Sequence, residues 1–232
     1  MLEFTIERGP IGIIARSGNV IAFFGDRGAD EAAVAVAFPQ FHFCYLQQTH
    51  SSIVLERGSQ DAVARPEGDA HWTTERGVAL AIRTADCLPV LFASTAGVIA
   101  AAHAGWRGVE GEILARTVGA VSRGRVAARD LTALIGPGIG PVSFEVGREG
   151  AQRLEAVFVR SSGHGTALLP HSNLGKNKVN LVTIANAQLL ASGLLAPNIH
   201  DQSIDTLVDQ SFWSYRRDGA TAGRQVSFIA RE

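Results

Sequence analysis

Apolar residues along this chain fall mostly into short runs bounded by glycine, proline or small polar residues, the pattern of strands rather than helices. Residues 2–6 and 11–15 flank Gly9-Pro10 and predict an opening hairpin. In FHFCYL, residues 41–46, Phe41, Phe43 and Tyr45 alternate with His42, Cys44 and Leu46. Ile53 to Leu55, VALAIR at 78–83, LTALIG at 131–136 and QVSFIA at 225–230 read as further strands, and 57–70 as a loop. Helical spacing is rarer. Asp30 to Phe38 predicts a short helix started by Asp30 and stopped by Pro39. Glu110 to Val121 predicts another, with Ile113, Leu114, Thr117, Val118 and Val121 on one stripe. Two more are expected, one from just after Phe144-Glu145-Val146 to about Val159 and one from about Val179 to Ala191, the second capped by Gly193. The breaker-rich segment 161–178 reads as a long mobile loop with solvated His164 and His171. Strands outnumber helices and are joined by both hairpins and helices, so the expected architecture is mixed α/β in one domain, residues 1–232.

The densest chemistry lies between Thr84 and Gly108. LPVLFA and VIAAAHA are uncharged runs separated by Ser94-Thr95-Ala96-Gly97, which predicts a hairpin of buried strands. Cys87 precedes the first strand and His103 ends the second. Direct pairing would put their Cβ atoms roughly 4.5–5.5 Å apart, whereas a strict four-residue loop would pair Cys87 with Ala104. A one-residue slip reverses the face, so both registers stay open. The turn Gly105-Trp106-Arg107-Gly108 follows, with two glycines that let backbone approach a ligand.

Composition narrows the function. At 232 residues and 46% hydrophobic content the chain can bury a large core. Net charge is −1 without blocks of like charge, which gives no footprint for nucleic acid or an anionic membrane and points to a small ligand. No window of about twenty apolar residues exists, and MLEFTIERGP lacks a signal-peptide pattern, so a soluble cytoplasmic protein is expected. Two cysteines are too few for a disulfide scaffold. Arginine supplies 19 of the 21 basic residues, the others being Lys176 and Lys178, so no arginine counts without a local argument.

His42 and Cys44 share a strand face and offer a metal pair, although buried core is the commoner role for such residues. Gln47 to Ser52 surrounds His50 with amides and hydroxyls between two strands, where a site or a hydrogen-bonded loop can sit. His50, Cys87 and His103 are ligand types that zinc prefers, and three protein ligands leave a fourth position open. Their spacings of 37 and 16 residues match no zinc-finger template.

The segments QQTHSSIV, ADCLPVLF, AAHAGWRG, IGPGIGPVSFEVG and FWSYRRDG, in this order, resemble the laccase-domain (YfiH-like) family, described as multicopper polyphenol oxidases and as purine nucleoside phosphorylases. The resemblance implies His50, Cys87 and His103 as metal ligands. It also implies a layered α/β/β/α sandwich of mixed sheets, similar to a bacterial toxin deamidase with a Cys–His pair. Departures are Ser51 where glycine is usual, RSGNVIAFFGDRGADE in place of a glycine- and serine-rich segment, no cysteine before FWSYRRDG, and an extra alanine in GATAGR.

The activities the resemblance implies are phosphorolysis of adenosine, inosine and methylthioadenosine, with adenosine deamination as a second reaction. Zinc-bound hydroxide suits attack on C6 of adenine, with Asp86 or Glu145 as proton carrier. Phosphorolysis needs a cationic clamp, for which Arg107, Arg216 and Arg217 are candidates, and Gln48 would orient base or ribose. Seven histidines, two cysteines, one methionine and no His-x-His pair leave a multicopper phenol oxidase chemically unsupported, though copper can occupy a single such site. The runner-up is a metal-free hydrolase or amidase with Cys87 as nucleophile and His103 as base. A third class is a non-enzymatic protein in which zinc only stiffens the hairpin.

Overall fold

The computed structural model describes residues 2–61, 63–123, 125–170 and 175–232. Two six-stranded mixed sheets stack face to face. The first has the order Thr5–Gly9, Gly12–Ser17, Val20–Gly25, Gln225–Arg231, Val78–Thr84, His42–Cys44. The second runs Ile199–Asp201, Leu131–Ile135, Leu88–Ser94, Ile99–Ala104, Ala70–Thr73, Val54–Glu56. Most neighbours are antiparallel, with parallel pairs at the edges.

Period-two alternation sorts side chains into layers. Phe24, Leu80, Ile82, Leu91, Ile99 and Ile229 fill the space between the sheets. Val90, Phe92 and Ala100 point outward from the second sheet, under Ile113–Ser122, Arg148–Ser162 and Leu181–Ala191. Phe23, Phe228 and Ala81 point outward from the first sheet, under Glu31–Ala37 and Phe38. Full burial of each large side chain contributes about 1.5–3 kcal/mol, so these layers carry most of the folding energy. The result is the expected α/β/β/α sandwich of mixed sheets.

The opening hairpin forms as expected, pairing Arg8 with Ile13. Asp30 caps its helix by accepting from the Ala33 N–H at 2.8 Å. Three expectations change. Glu110 to Val121 is two helices, Trp106–Glu110 and Ile113–Ser122, because Glu112 adopts φ 61 and breaks the helical path. Segment 161–178 is not simply loop: Leu168–Leu169 and Lys176–Val179 join Glu145–Gly147 in a three-stranded sheet. His164 is exposed there, and His171 lies outside the described residues. Within 57–70, Ala70 opens a buried strand that ends at Thr73. No helix of the described residues is long and apolar enough to cross a membrane.

Candidate metal centre

Three side chains from separate segments meet at one end of the seam between the sheets. Cys87 follows Val78–Thr84 through Ala85-Asp86, His103 lies in Ile99–Ala104, and His50 sits in the loop after His42–Cys44. One potential ligand atom from each lies within 4.8 Å of the others, and the two imidazole centroids are 4.9 Å apart. The hairpin ladder pairs Leu88 with Ala104 and Pro89 with His103, which leaves Cys87 one step beyond it, facing Gly105. Neither expected pairing of Cys87 forms. The ladder closes at Ala93–Ile99, so the connection runs five residues, Ser94 to Val98, with Gly97 at φ 84. Cys87 and His103 nonetheless keep the same face as diagonal neighbours, a separation that side chains can span.

Asp69, fully buried just before Ala70–Thr73, organises the centre. Its Oδ1 accepts from His103 Nδ1 at 2.7 Å and from the His50 N–H at 3.1 Å. Its Oδ2 accepts from the N–H groups of Thr49 (3.2 Å) and Ser51 (2.6 Å) and from Ser51 Oγ (2.7 Å). His50 itself has φ 60, a left-handed conformation uncommon outside glycine, and the three consecutive N–H bonds hold it there. Sequence reasoning missed Asp69 because it looked like one more loop acid in EGDA. Its only local signal is its place immediately before a strand.

Electrostatics couples the three groups. Burial pushes the Cys87 thiol up, but His103 and His50 beside it outweigh burial and bring it to about 6. Burial likewise opposes charge on His103, yet Cys87 and Asp69 raise it to about 9. Burial opposes ionisation of Asp69, and the hydrogen bonds from His103 and Ser51 overcome it, to about 2. Without metal, these directions favour a thiolate–imidazolium pair backed by a carboxylate.

The centre opens into a cavity of about 860 Å³. Arg107 lines it, exposed, its guanidinium 4.6 Å from the Trp106 ring centroid and without an ion-pair partner among the described residues. Arg216 also lines it and donates to the Glu145 carbonyl at 3.1 Å. Gln48 reaches the cavity but exchanges both amide hydrogen bonds with the Arg83 backbone, each at 2.8 Å. Asp86 lines it too, its carboxylate accepting from Thr206 Oγ1 and the Arg216 N–H, each at 2.7 Å. Arg217 and Glu145 are not brought to the wall. Arg217 holds Asp218 and the carbonyls of Thr206, Leu207 and Phe212. Glu145 pairs with Lys176 at 3.2 Å. Arg83 and Arg224, not singled out from the sequence, join Tyr215 on the polar rim.

The donor set fits a metal. Two imidazoles and one thiolate suit zinc or copper, and Asp69 on Nδ1 fixes the His103 tautomer that leaves Nε2 free to ligate. His42 is exposed while Cys44 is buried with its thiol 3.6 Å from the Gly58 carbonyl, and they gather no third ligand among the described residues.

A family model described as multi-copper polyphenol oxidoreductase laccase matches residues 27–232. A purine nucleoside phosphorylase of Pseudomonas aeruginosa is 36% identical over 187 residues, 80% of this chain and 72% of that protein. Purine nucleoside phosphorylase YfiH of Escherichia coli is 36% identical over 186 residues, with the same two coverages. The crystal structure of YlmD from Geobacillus stearothermophilus has a TM-score of 0.85 over 99% of this chain and 100% of that one, at 26% identity.

Proposed function

The chain belongs to the multi-copper polyphenol oxidoreductase laccase family, and from that premise we propose that it is a zinc-dependent purine nucleoside phosphorylase of the cytoplasm. Its substrates are adenosine, inosine and methylthioadenosine, with adenosine deamination as a second reaction. The observation that carries this reading is one cavity holding both the His50–Cys87–His103 cluster and Arg107, a cation without an ion-pair partner among the described residues. Similarity to proteins named purine nucleoside phosphorylase supports the reaction class.

In phosphorolysis a phosphate oxygen attacks C1′ of the ribose as the N9–C1′ bond breaks, and the purine leaves with that electron pair and takes up a proton. Arg107 and Arg216 suit the phosphate, since a guanidinium binds two of its oxygens in one plane. Asp86, on the cavity wall, is the carboxylate placed to carry a proton for the deamination, and its bond from the Arg216 N–H also steadies that arginine. Gln48 shapes the wall through its tie to Arg83. His50, Cys87 and His103 would hold the zinc, which when bound supplies a Lewis acid and lowers the pKa of its water to about 7. Copper would fit the same donors and bind more tightly, so the native metal depends on supply.

One alternative has an observation of its own. Asp69, His103 and Cys87 stand in the order orienter, base and nucleophile of a metal-free cysteine hydrolase. Zinc ligation and free nucleophile are exclusive roles for Cys87, so metal content separates them. The test is elemental analysis of untagged protein together with inosine and adenosine turnover, with and without phosphate. Near-stoichiometric zinc and phosphate-dependent release of free base are expected, as is an Arg107→Ala variant whose KM rises more for phosphate than for nucleoside. Undiminished turnover by metal-free protein would overturn the zinc assignment, and phosphate-independent base release would overturn phosphorolysis.

A further inference from the structure

Two histidines that arrive from a strand and from a loop need a common reference if they are to face one point, and the fold provides a buried carboxylate for both. We infer that Asp69 is a positioning residue that presets the metal centre, fixing the His103 tautomer and the left-handed turn at His50 at once; this rests on the metal reading of the site.

The argument is one of donors and acceptors. Oδ1 faces two donors, His103 Nδ1–H and the His50 N–H, while Oδ2 faces three, from Thr49 and Ser51. Five donors converge on one ionised group that carries no donor of its own. With Nδ1–H committed to Asp69, His103 turns Nε2 toward Cys87 and the ligand point, and Nε2 is the nitrogen that would give up its proton when a metal binds. The three N–H bonds keep His50 in a conformation its side chain does not favour, and that conformation aims its ring at Cys87. The backbone adds a second tie, as the His103 N–H donates to the Asp69 carbonyl at 2.7 Å. Asp69 is therefore held from the His103 strand and holds the His50 loop in return.

Asp69→Asn keeps the size and removes the match. Whichever way the amide turns, its NH2 meets donors. Turned toward His103, it favours the opposite tautomer, with the proton on Nε2 and no lone pair for a ligand. The experiment compares Zn2+ affinity, by competition with a chromophoric chelator, in wild-type, Asp69→Asn and Ser51→Ala proteins, and reads the His103 ring nitrogens by 15N NMR in the Zn2+-loaded wild type. Expected are an Nδ1-protonated His103 and about 10–100-fold weaker Zn2+ binding in Asp69→Asn. Ser51→Ala, which removes one hydroxyl donor and leaves the carboxylate, should weaken binding by a smaller factor.

An Asp69→Asn protein that binds Zn2+ within twofold of wild type overturns the inference while leaving the metal centre intact. So does an Nε2-protonated His103 in the loaded wild type, a result that needs no variant to fold. Wild type that takes up no Zn2+ overturns the metal centre itself and this inference with it.

Discussion

A methyl group at position 105 would lie 2.7 Å from His50 Nδ1 and 2.9 Å from Cys87 Sγ, inside the space where the two side chains converge. Gly105 has φ −69, which alanine adopts freely, so backbone strain plays no part and the whole penalty of a substitution falls on the site. Gly105→Ala should therefore fold like wild type and fail as a metal protein. Expected are an unchanged thermal midpoint and Zn2+ retention weaker by about 10–100-fold, the range seen when neighbours of ligands are disturbed. Full zinc retention would mean that His50 and Cys87 do not converge at this point. The residues that chemistry names on its own, His50, Cys87 and His103, were legible in the sequence because imidazole and thiol are few in this chain. Asp69 was not. Carboxylates are common, and what distinguishes this one is five hydrogen bonds to residues 18–34 positions away. Arg217 shows the converse: a guanidinium next to a cavity-lining one reads alike in sequence, yet its donors are consumed by loop carbonyls and Asp218.

At the level of elements, long apolar strands such as Val78–Thr84 and Gln225–Arg231 and the capped helix Glu31–Ala37 announce themselves through run length, alternation and Asp30. Ala70–Thr73 does not, since its alternation of Ala70 and Trp72 with His71 and Thr73 lasts only four residues at the end of a polar loop, and pairing with Ile99–Ala104 supplies what so short a run lacks. The hairpin register was likewise beyond a loop count, because one extra residue in the connection shifts every partner. Packing between sheets is equally invisible locally. Gly136 ends the strand Leu131–Ile135 directly over Phe24 of the other sheet, and a Cβ there would fall well inside contact distance of the ring. Gly136→Ala should cost about 1–3 kcal/mol by overpacking. Shrinking the partner should return part of that, so the double variant Gly136→Ala, Phe24→Leu should be more stable than the two single losses imply, with a coupling of about 0.5–3 kcal/mol by urea unfolding. Strict additivity would show that the two sheets do not meet at this pair.

The molecule as a whole buries an imidazole in the seam that the metal centre does not use. His71 pairs with Ala101 across the ladder, so it shares the inner face of the second sheet, and neither ring nitrogen has a hydrogen-bond partner among the described residues. Burial, with the Arg57 guanidinium as a smaller contributor, pushes its pKa from 6.5 down to about 3. An unfolded chain protonates this histidine near 6.5, whereas the folded chain resists until about 3, so between those limits the unfolded state binds the extra proton and stability must fall as the pH falls. One proton corresponds to a slope of about 1.4 kcal/mol per pH unit once the unfolded imidazole is fully charged. The slope is best read between pH 6 and 5, above the region where Asp69, which takes a proton near 3.8 in the unfolded chain and near 2 in the folded one, loses its own contribution. Urea midpoints of wild type and His71→Leu across that window separate this group from all others. Leucine fills a similar volume and leaves no buried nitrogen unpaired, so the variant should match or exceed wild type at neutral pH and lose the excess acid slope. Parallel pH profiles for the two proteins would show that His71 finds a way to charge within the fold, and the seam would then be more open to protons than its packing implies.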